Sequence, residues 1–366
     1  MRYDSYTYDS FFALVRAGLW ADVESTDLRS LGFEAPVDWD EVYQLAEEQS
    51  VVGIVLAGLE RSKIKPPQEL LLQWIGEVQI IEQQNKAMNE FVRKLFGKLS
   101  DVDINAVLIK GQGVAQSYEK PLWRSSGDID LLMDGDNYER SKTFLIPLAD
   151  DIEKEDVGKK HLGIHINDFL IELHGGMPFE LSKRVDKIVD EVIAFANTDN
   201  ANGTDDLIGV VVPKADEHIV LVFTHFLHHF FIEGVGLRQI CDWCRLLWYN
   251  RTKLDLRLLQ SRISRMGLMT EWRSFASLAV DYLGMPKEAM PFYESRFKKY
   301  GSRIMELVVE TGNFGHNKDL SYREKYSGLI YNLVALLRRI KDFVGFTMIF
   351  PVDAPKFFVN YVVRKV

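Results

Sequence analysis

The sequence predicts an α+β fold: a small mixed β-sheet flanked by N-terminal and C-terminal helical regions. Three observations carry this expectation. Residues up to about 100 and beyond about 213 place apolar side chains at helical spacing. Between them lie apolar runs too short for helices, Ala106-Val107-Leu108-Ile109 and Ile129-Asp130-Leu131-Leu132-Met133, each with a glycine two residues away. Residues 161–166 and 169–174 then alternate about the polar pair Asn167-Asp168, as a β-hairpin does. The expected organisation is a helical region over 1–100, an α/β core over 101–212 and a second helical region over 213–366.

Element by element, residues 11–20 show helical spacing. Val37-Asp38-Trp39-Asp40-Glu41 reads as a helix start, with Asp38 or Asp40 capping a run through Ala57. Pro66-Pro67 breaks the chain, and a long amphipathic helix is expected from about 69 to 99. A strand over 106–109 leads into the turn Lys110-Gly111-Gln112-Gly113 and a short helix over 114–118. A second strand over 128–133 precedes a helix over 137–148, and then the hairpin. From about 213 to near 345 the pattern is helical.

With 366 residues, 47% hydrophobic and 27% charged, the chain can bury a sizeable core, and its length fits about two or three domains. A net charge of -9 and pI near 5.5 argue against broad nucleic-acid binding. The polar N-terminus begins no signal peptide. The most apolar stretch, 329–351, is interrupted by Arg338, Arg339, Lys341 and Asp342, so no membrane span is expected and the protein reads as soluble and cytoplasmic. The two cysteines, Cys241 and Cys244, fall within a helical pattern. They read as buried free thiols rather than a redox pair or half of a zinc site.

The chemistry concentrates at Gly127-Asp128-Ile129-Asp130. On a strand Asp128 and Asp130 project to one face while Ile129 and Leu131 enter the core. Two adjacent carboxylates repel unless water or a divalent cation neutralises them, and Mg2+ takes a few carboxylates plus substrate phosphates. Alone, the pair reads more readily as a solvated strand end. Around it stand Lys110-Gly111, a turn whose backbone N–H groups could cradle phosphate, and Arg124, Ser125 and Ser126, suited to phosphate contact. If the strand bearing Glu172 lies beside 128–133, that side chain completes a three-carboxylate cluster. Each also has a bland reading: an ordinary turn, a solvated loop, a surface glutamate.

Taken together these residues resemble the DNA polymerase β-like nucleotidyltransferase superfamily, most closely an uncharacterised bacterial nucleotidyltransferase family within it. The matching residues are Leu108-Ile109-Lys110-Gly111, Tyr118, Arg124, Gly127-Asp128-Ile129-Asp130-Leu131-Leu132 and Ile171-Glu172-Leu173-His174. The chain has Lys110-Gly111-Gln112-Gly113 where the superfamily usually has Gly-Gly or Gly-Ser, and Glu172 where many relatives have Asp. The resemblance implies Asp128, Asp130 and Glu172 as catalytic metal ligands for Mg2+ or Mn2+. It also implies a cofactor-binding set of Lys110, Gly111, Gly113, Arg124, Ser125, Ser126, His174, Arg238 and Asp242 around a nucleoside triphosphate, with His174 placed to hydrogen-bond a metal ligand. Lys110 and Arg124 would offset charge on the departing pyrophosphate.

In the second helical region His218, His225 and His229 share one helix face, and His228 lies beside them. His225 and His229 could bind a metal, yet no H-E-x-x-H pattern accompanies them, and structural or cleft histidines are the expectation. Arg238 and Asp242 are spaced i, i+4. They read as a surface salt bridge or, by the resemblance, as part of a helix closing over the nucleotide. Phe226, Phe230, Phe231, Trp243 and Trp248 read as core. The expected function is Mg-dependent transfer of a nucleoside monophosphate from an NTP to a small-molecule or protein hydroxyl. The alternatives are a catalytically silent nucleotide- or partner-binding relative and a metal-dependent hydrolase using the histidines. The acceptor, the base and the oligomeric state stay open.

Overall fold

The computed structural model describes residues 3–20, 37–62, 64–196, 202–204, 208–232, 234–313 and 343–365. Among the described residues four helices come first: α1 (Ser5–Leu19), α2 (Trp39–Glu48), α3 (Val52–Ser62) and α4 (Gln68–Ser100). Asp4 caps α1 by accepting from Thr7 N, and Asp38, rather than Asp40, caps α2 by accepting from Glu41 N. α1 and α3 cross backbone to backbone. A Cβ added at Gly18 would sit 1.9 Å from the Ile54 carbonyl oxygen, and one at Gly58 2.0 Å from that of Leu14.

The single run expected through Ala57 is instead two helices, broken at Gln49-Ser50, where Ser50 takes φ 55. No glycine or proline signals this break. Its cause is tertiary: Gln49 Oε1 accepts from Leu237 N at 3.0 Å, and Gln49 Nε2 donates to Val308 O at 3.3 Å. A glutamine from one helical region thereby satisfies a first-turn N–H of a distant helix. α4 matches the expected 69–99 closely. At 33 residues it is about 50 Å long.

The sheet has five strands in the order β1 (Val107–Leu108), β2 (Ile129–Leu132), β5 (Phe169–His174), β4 (His161–Ile166), β3 (Asp151–Ile152). It is mixed: β2 and β5 are parallel, with Asp130 opposite Glu172, and the other pairs are antiparallel. The hairpin forms as expected, with Asn167 at φ 48 and Asp168 at φ 63, the left-handed pair that a tight two-residue turn requires.

Three expectations about elements need correction. The short helix is α5 (Gln112–Ala115), not 114–118. Gly111 at φ 55 starts it early, and Ser117 Oγ draws on the Val114 carbonyl at 2.7 Å as it ends. α6 (Gly135–Leu145) begins at the Asp134 cap and gives way to a 3-10 turn, Ile146–Leu148, at Pro147. A second small ribbon, β6 (Asn202–Thr204) with β7 (Val211–Pro213), was not anticipated.

Helices α7 (Lys183–Ala196), α8 (Ala215–Ile232), α9 (Leu237–Asn250), α10 (Leu256–Met266), α11 (Met269–Asp281), α12 (Lys298–Thr311) and α13 (Asp353–Lys365) follow. The helical pattern expected up to 345 falls partly on 314–342, outside the described residues. No described helix is long and apolar enough to cross a membrane.

One face of the sheet packs on α4 through Met88, Val92, Leu95 and Leu99. The main core runs from α1 and α3 past Val107, Ile109 and Leu132 into α8, α9 and α11. Its centre is aromatic: Phe223, Phe226, Trp243, Trp272 and Phe275 are all buried and touch in edge-on or tilted pairs. Cys241 and Cys244 are buried free thiols on α9, and burial pushes both above the ordinary thiol range, which makes them poor nucleophiles.

Candidate active site

The parallel pairing of β2 with β5 gathers the acidic side chains. Asp130 stands across from Glu172, and Asp128 precedes β2 by one residue. Each of Asp128, Asp130 and Glu172 offers a carboxylate oxygen within 4.8 Å of the others. Such crowding is costly away from water unless cations offset it. Lys110 Nζ lies 2.5 Å from Asp130 Oδ1, and His174 Nε2 lies 2.9 Å from the same oxygen. Asp130 Oδ2 is buried with no hydrogen-bond partner among the described residues. An orphaned carboxylate oxygen beside two further carboxylates is what a hard divalent cation takes, so the residues present fit a metal of the Mg2+ class.

Electrostatics follow from the crowding. The negative charge of Asp130 and then burial raise Asp128 above the usual carboxylate range. Burial works against ionisation of Glu172, but the adjacent imidazoles of His161 and His174 and the charge of Lys110 outweigh it and hold its carboxyl low. Burial likewise opposes the charged forms of Lys110 and His174, and their acidic neighbours raise both.

Around this trio is a cavity of about 270 Å³ lined by Lys110, Gly111, Arg124, Arg238 and Asp242, together with His225 and His229 of α8. Lys110 sits just past β1 and is fixed from two sides. Ile109 N donates to Asp130 O at 3.2 Å, and Lys110 Nζ donates to His225 Nε2 at 3.0 Å. Gly111 is required by conformation as well as space, since a Cβ there would lie 3.0 Å from the Asp128 carbonyl oxygen.

The loop entering β2 is clamped. Arg124 forms a two-pronged pair with Asp242, Nε to Oδ1 and Nη2 to Oδ2, both 2.7 Å, and Tyr118 donates to Asp242 Oδ1 at 2.7 Å. Arg238 Nη1 donates to the Ser125 carbonyl at 2.9 Å. The surface salt bridge between Arg238 and Asp242 is therefore not what forms. Asp242 is buried, and its partner is Arg124, whose planar fork matches the carboxylate better than an i, i+4 contact does.

Four of the expected contact residues do not line the cavity. Gly113 presses on the Leu108 carbonyl, with a Cβ there 2.8 Å away. Ser125 offers its carbonyl to Arg238, Ser126 donates to Asn85 Oδ1 at 2.6 Å, and His174 stands behind the carboxylates. Asn85 was missed by the sequence reading. It is buried on α4, accepts from Gln112 Nε2 at 2.7 Å, and donates to the Leu122 and Arg124 carbonyls at 2.8 Å each, so one residue holds both the turn and the loop. A signal existed: Asn85 lies seven residues from both Val78 and Val92, a polar side chain on a buried stripe.

The histidine face points at the site. His218 donates to the Ile109 carbonyl at 2.8 Å, and His229 and His225 face each other, Nε2 to Nε2, at 3.1 Å. Among the described residues these three are not one of the groups that could hold a metal. Burial lowers His218 from 6.5 to about 4, with the Ile109 hydrogen bond opposing. Between those values the unfolded chain binds a proton that the folded chain does not. Stability is thus full above about pH 6.5 and falls as the pH drops toward about 4, by on the order of 3 kcal/mol. Urea unfolding at about pH 7 and about pH 5 checks this: His218→Gln is expected to lose a part of the difference that the native chain shows, the rest falling to His225, which burial also lowers.

No curated relative and no solved structure matches the chain. The family described as "Uncharacterised nucleotidyltransferase" matches residues 35–284, more than half of the chain and all of the residues that line the cavity. The chain belongs to this nucleotidyltransferase family.

Proposed function

We propose that this chain is a divalent-metal-dependent nucleotidyltransferase of the DNA polymerase β-like superfamily, moving a nucleoside monophosphate from an NTP to a hydroxyl of a small molecule or protein. The observation that carries the reading is the convergence of Asp128, Asp130 and Glu172 within 4.8 Å, with Asp130 Oδ2 buried and unpartnered. These three would hold Mg2+ or Mn2+. A metal held there would supply neutralisation of the charge that develops on phosphate oxygens. Lys110 supplies a fixed cation beside these carboxylates, and Arg238, a guanidinium that also lines the cavity, supplies another. Arg124 acts differently from the sequence expectation. Its charge is spent on Asp242, so it positions the loop rather than meeting pyrophosphate.

A second reading, binding without transfer, draws on Lys110 and His174, which already occupy Asp130 Oδ1. One experiment tests both. Calorimetric titration with each of the four ribonucleoside triphosphates, with and without Mg2+, uses the native chain and the Asp128→Asn/Asp130→Asn double variant. The proposal expects binding that needs both Mg2+ and the aspartates, with pyrophosphate released slowly as water takes the nucleoside monophosphate. Binding without pyrophosphate would favour the silent reading, and no Mg2+-dependent binding to any of the four would overturn both.

A further inference from the structure

We infer that His161, Glu172 and His174 form a binding site for a transition-metal dication, separate from the all-oxygen trio and sharing Glu172 with it. The β4–β5 register sets His161 directly opposite His174, and Glu172 precedes His174 by two residues on the same strand face. Both imidazoles reach one oxygen: His161 Nε2 and His174 Nε2 are each 3.5 Å from Glu172 Oε2. The ring centroids are 4.8 Å apart, and one ligand atom from each residue lies within 4.8 Å of the others.

The spacing matters. A distance of 3.5 Å exceeds the usual N–H···O range of about 2.7–3.2 Å. It matches the ligand-to-ligand edge of a tetrahedron with bonds of about 2.0–2.1 Å, which is about 3.4 Å. Two imidazole nitrogens and one carboxylate oxygen suit zinc and its neighbours and leave an open position. Mg2+ prefers oxygen ligands and belongs to the trio. The two clusters thereby sort metals by donor type. A carboxylate has two oxygens, so Glu172 can serve both. His161, half-buried at the start of β4, gives the site a route to solvent.

Occupancy has a consequence inside the trio. His174 Nε2 is also 2.9 Å from Asp130 Oδ1, and one nitrogen cannot both donate a proton there and ligate a metal. Metal binding sends that proton to solvent and leaves Asp130 Oδ1 to Lys110 alone.

Titration of the full chain with Co2+, followed by visible absorption, tests the site. The expected result is one equivalent bound with the intense bands of four-coordinate cobalt, displaced by Zn2+ but not by excess Mg2+. His161→Gln is expected to weaken this binding at least about tenfold. Asp128→Asn is expected to leave the cobalt spectrum in place. Absence of four-coordinate cobalt in the native chain, or unchanged binding in His161→Gln, would each overturn the inference. Mg2+-dependent NTP binding, measured on the same His161→Gln protein, reports separately on the transfer reading.

Discussion

Asp130→Asn is expected to lower nucleotidyl transfer by about 10²–10⁴-fold while leaving the protein folded. The size follows from the several kcal/mol of charge stabilisation that a correctly held metal supplies, at 1.36 kcal/mol per factor of about ten. Asp130 is the centre of the trio: it is 1% exposed, carries the orphaned oxygen, and meets both Lys110 and His174. Asparagine keeps the volume and one oxygen acceptor for those two donors but removes the charge that would hold the ion. Asp128 and Glu172 stay near Lys110 and continue to offset it. Asp130→Ala differs, because it leaves Lys110 and His174 without their shared acceptor, and removing one member of a buried charged pair costs about 3–5 kcal/mol. Pyrophosphate release, with water as the slow acceptor, and urea unfolding on the same samples separate the two effects. Native-like release by folded Asp130→Asn would move the chemistry away from the trio.

Much of this site was legible because its parts are local. The Asp-x-Asp pair, the Lys-Gly turn and the alternating hairpin each declare themselves within a few residues. The step that joins them, the strand of Glu172 lying beside that of Asp130, was a conditional in the sequence, and the β2–β5 register with Asp130 opposite Glu172 meets that condition. What could not be read was long-range. The pairing of Arg124 with Asp242 spans 118 residues, whereas the helical spacing of Arg238 and Asp242 pointed to a local pair. The break at Ser50 is imposed by contacts of Gln49 with α9 and α12, against a local pattern that favours continuing the helix. Asn85 could be read only as a polar interruption, since its partners arrive from two later loops. In each case a buried polar group found its partner through tertiary structure, and local spacing carries no record of that choice.

Asp242→Ala is expected to destabilise the fold by about 3–5 kcal/mol, because it strands the Arg124 guanidinium in a buried position. Two 2.7 Å contacts from Arg124 and one from Tyr118 lose their acceptor at once. Replacing both partners, Arg124→Met with Asp242→Leu, is expected to recover most of that loss, since a well-packed apolar pair avoids the desolvation cost. The double-mutant cycle then isolates the coupling, with urea midpoints as the measurement. If the clamp served stability alone, the recovered double variant would bind NTP like the native chain. The geometry argues otherwise. Arg124 precedes Asp128 by four residues, and its own carbonyl is held by Asn85, so the clamp and α4 together fix the loop from which Asp128 enters the trio. The double variant is therefore expected to be folded and yet weakened in Mg2+-dependent NTP binding. That outcome would mean the buried pair between α9 and the loop is kept for the position it gives a metal ligand, at no gain in stability over an apolar pair.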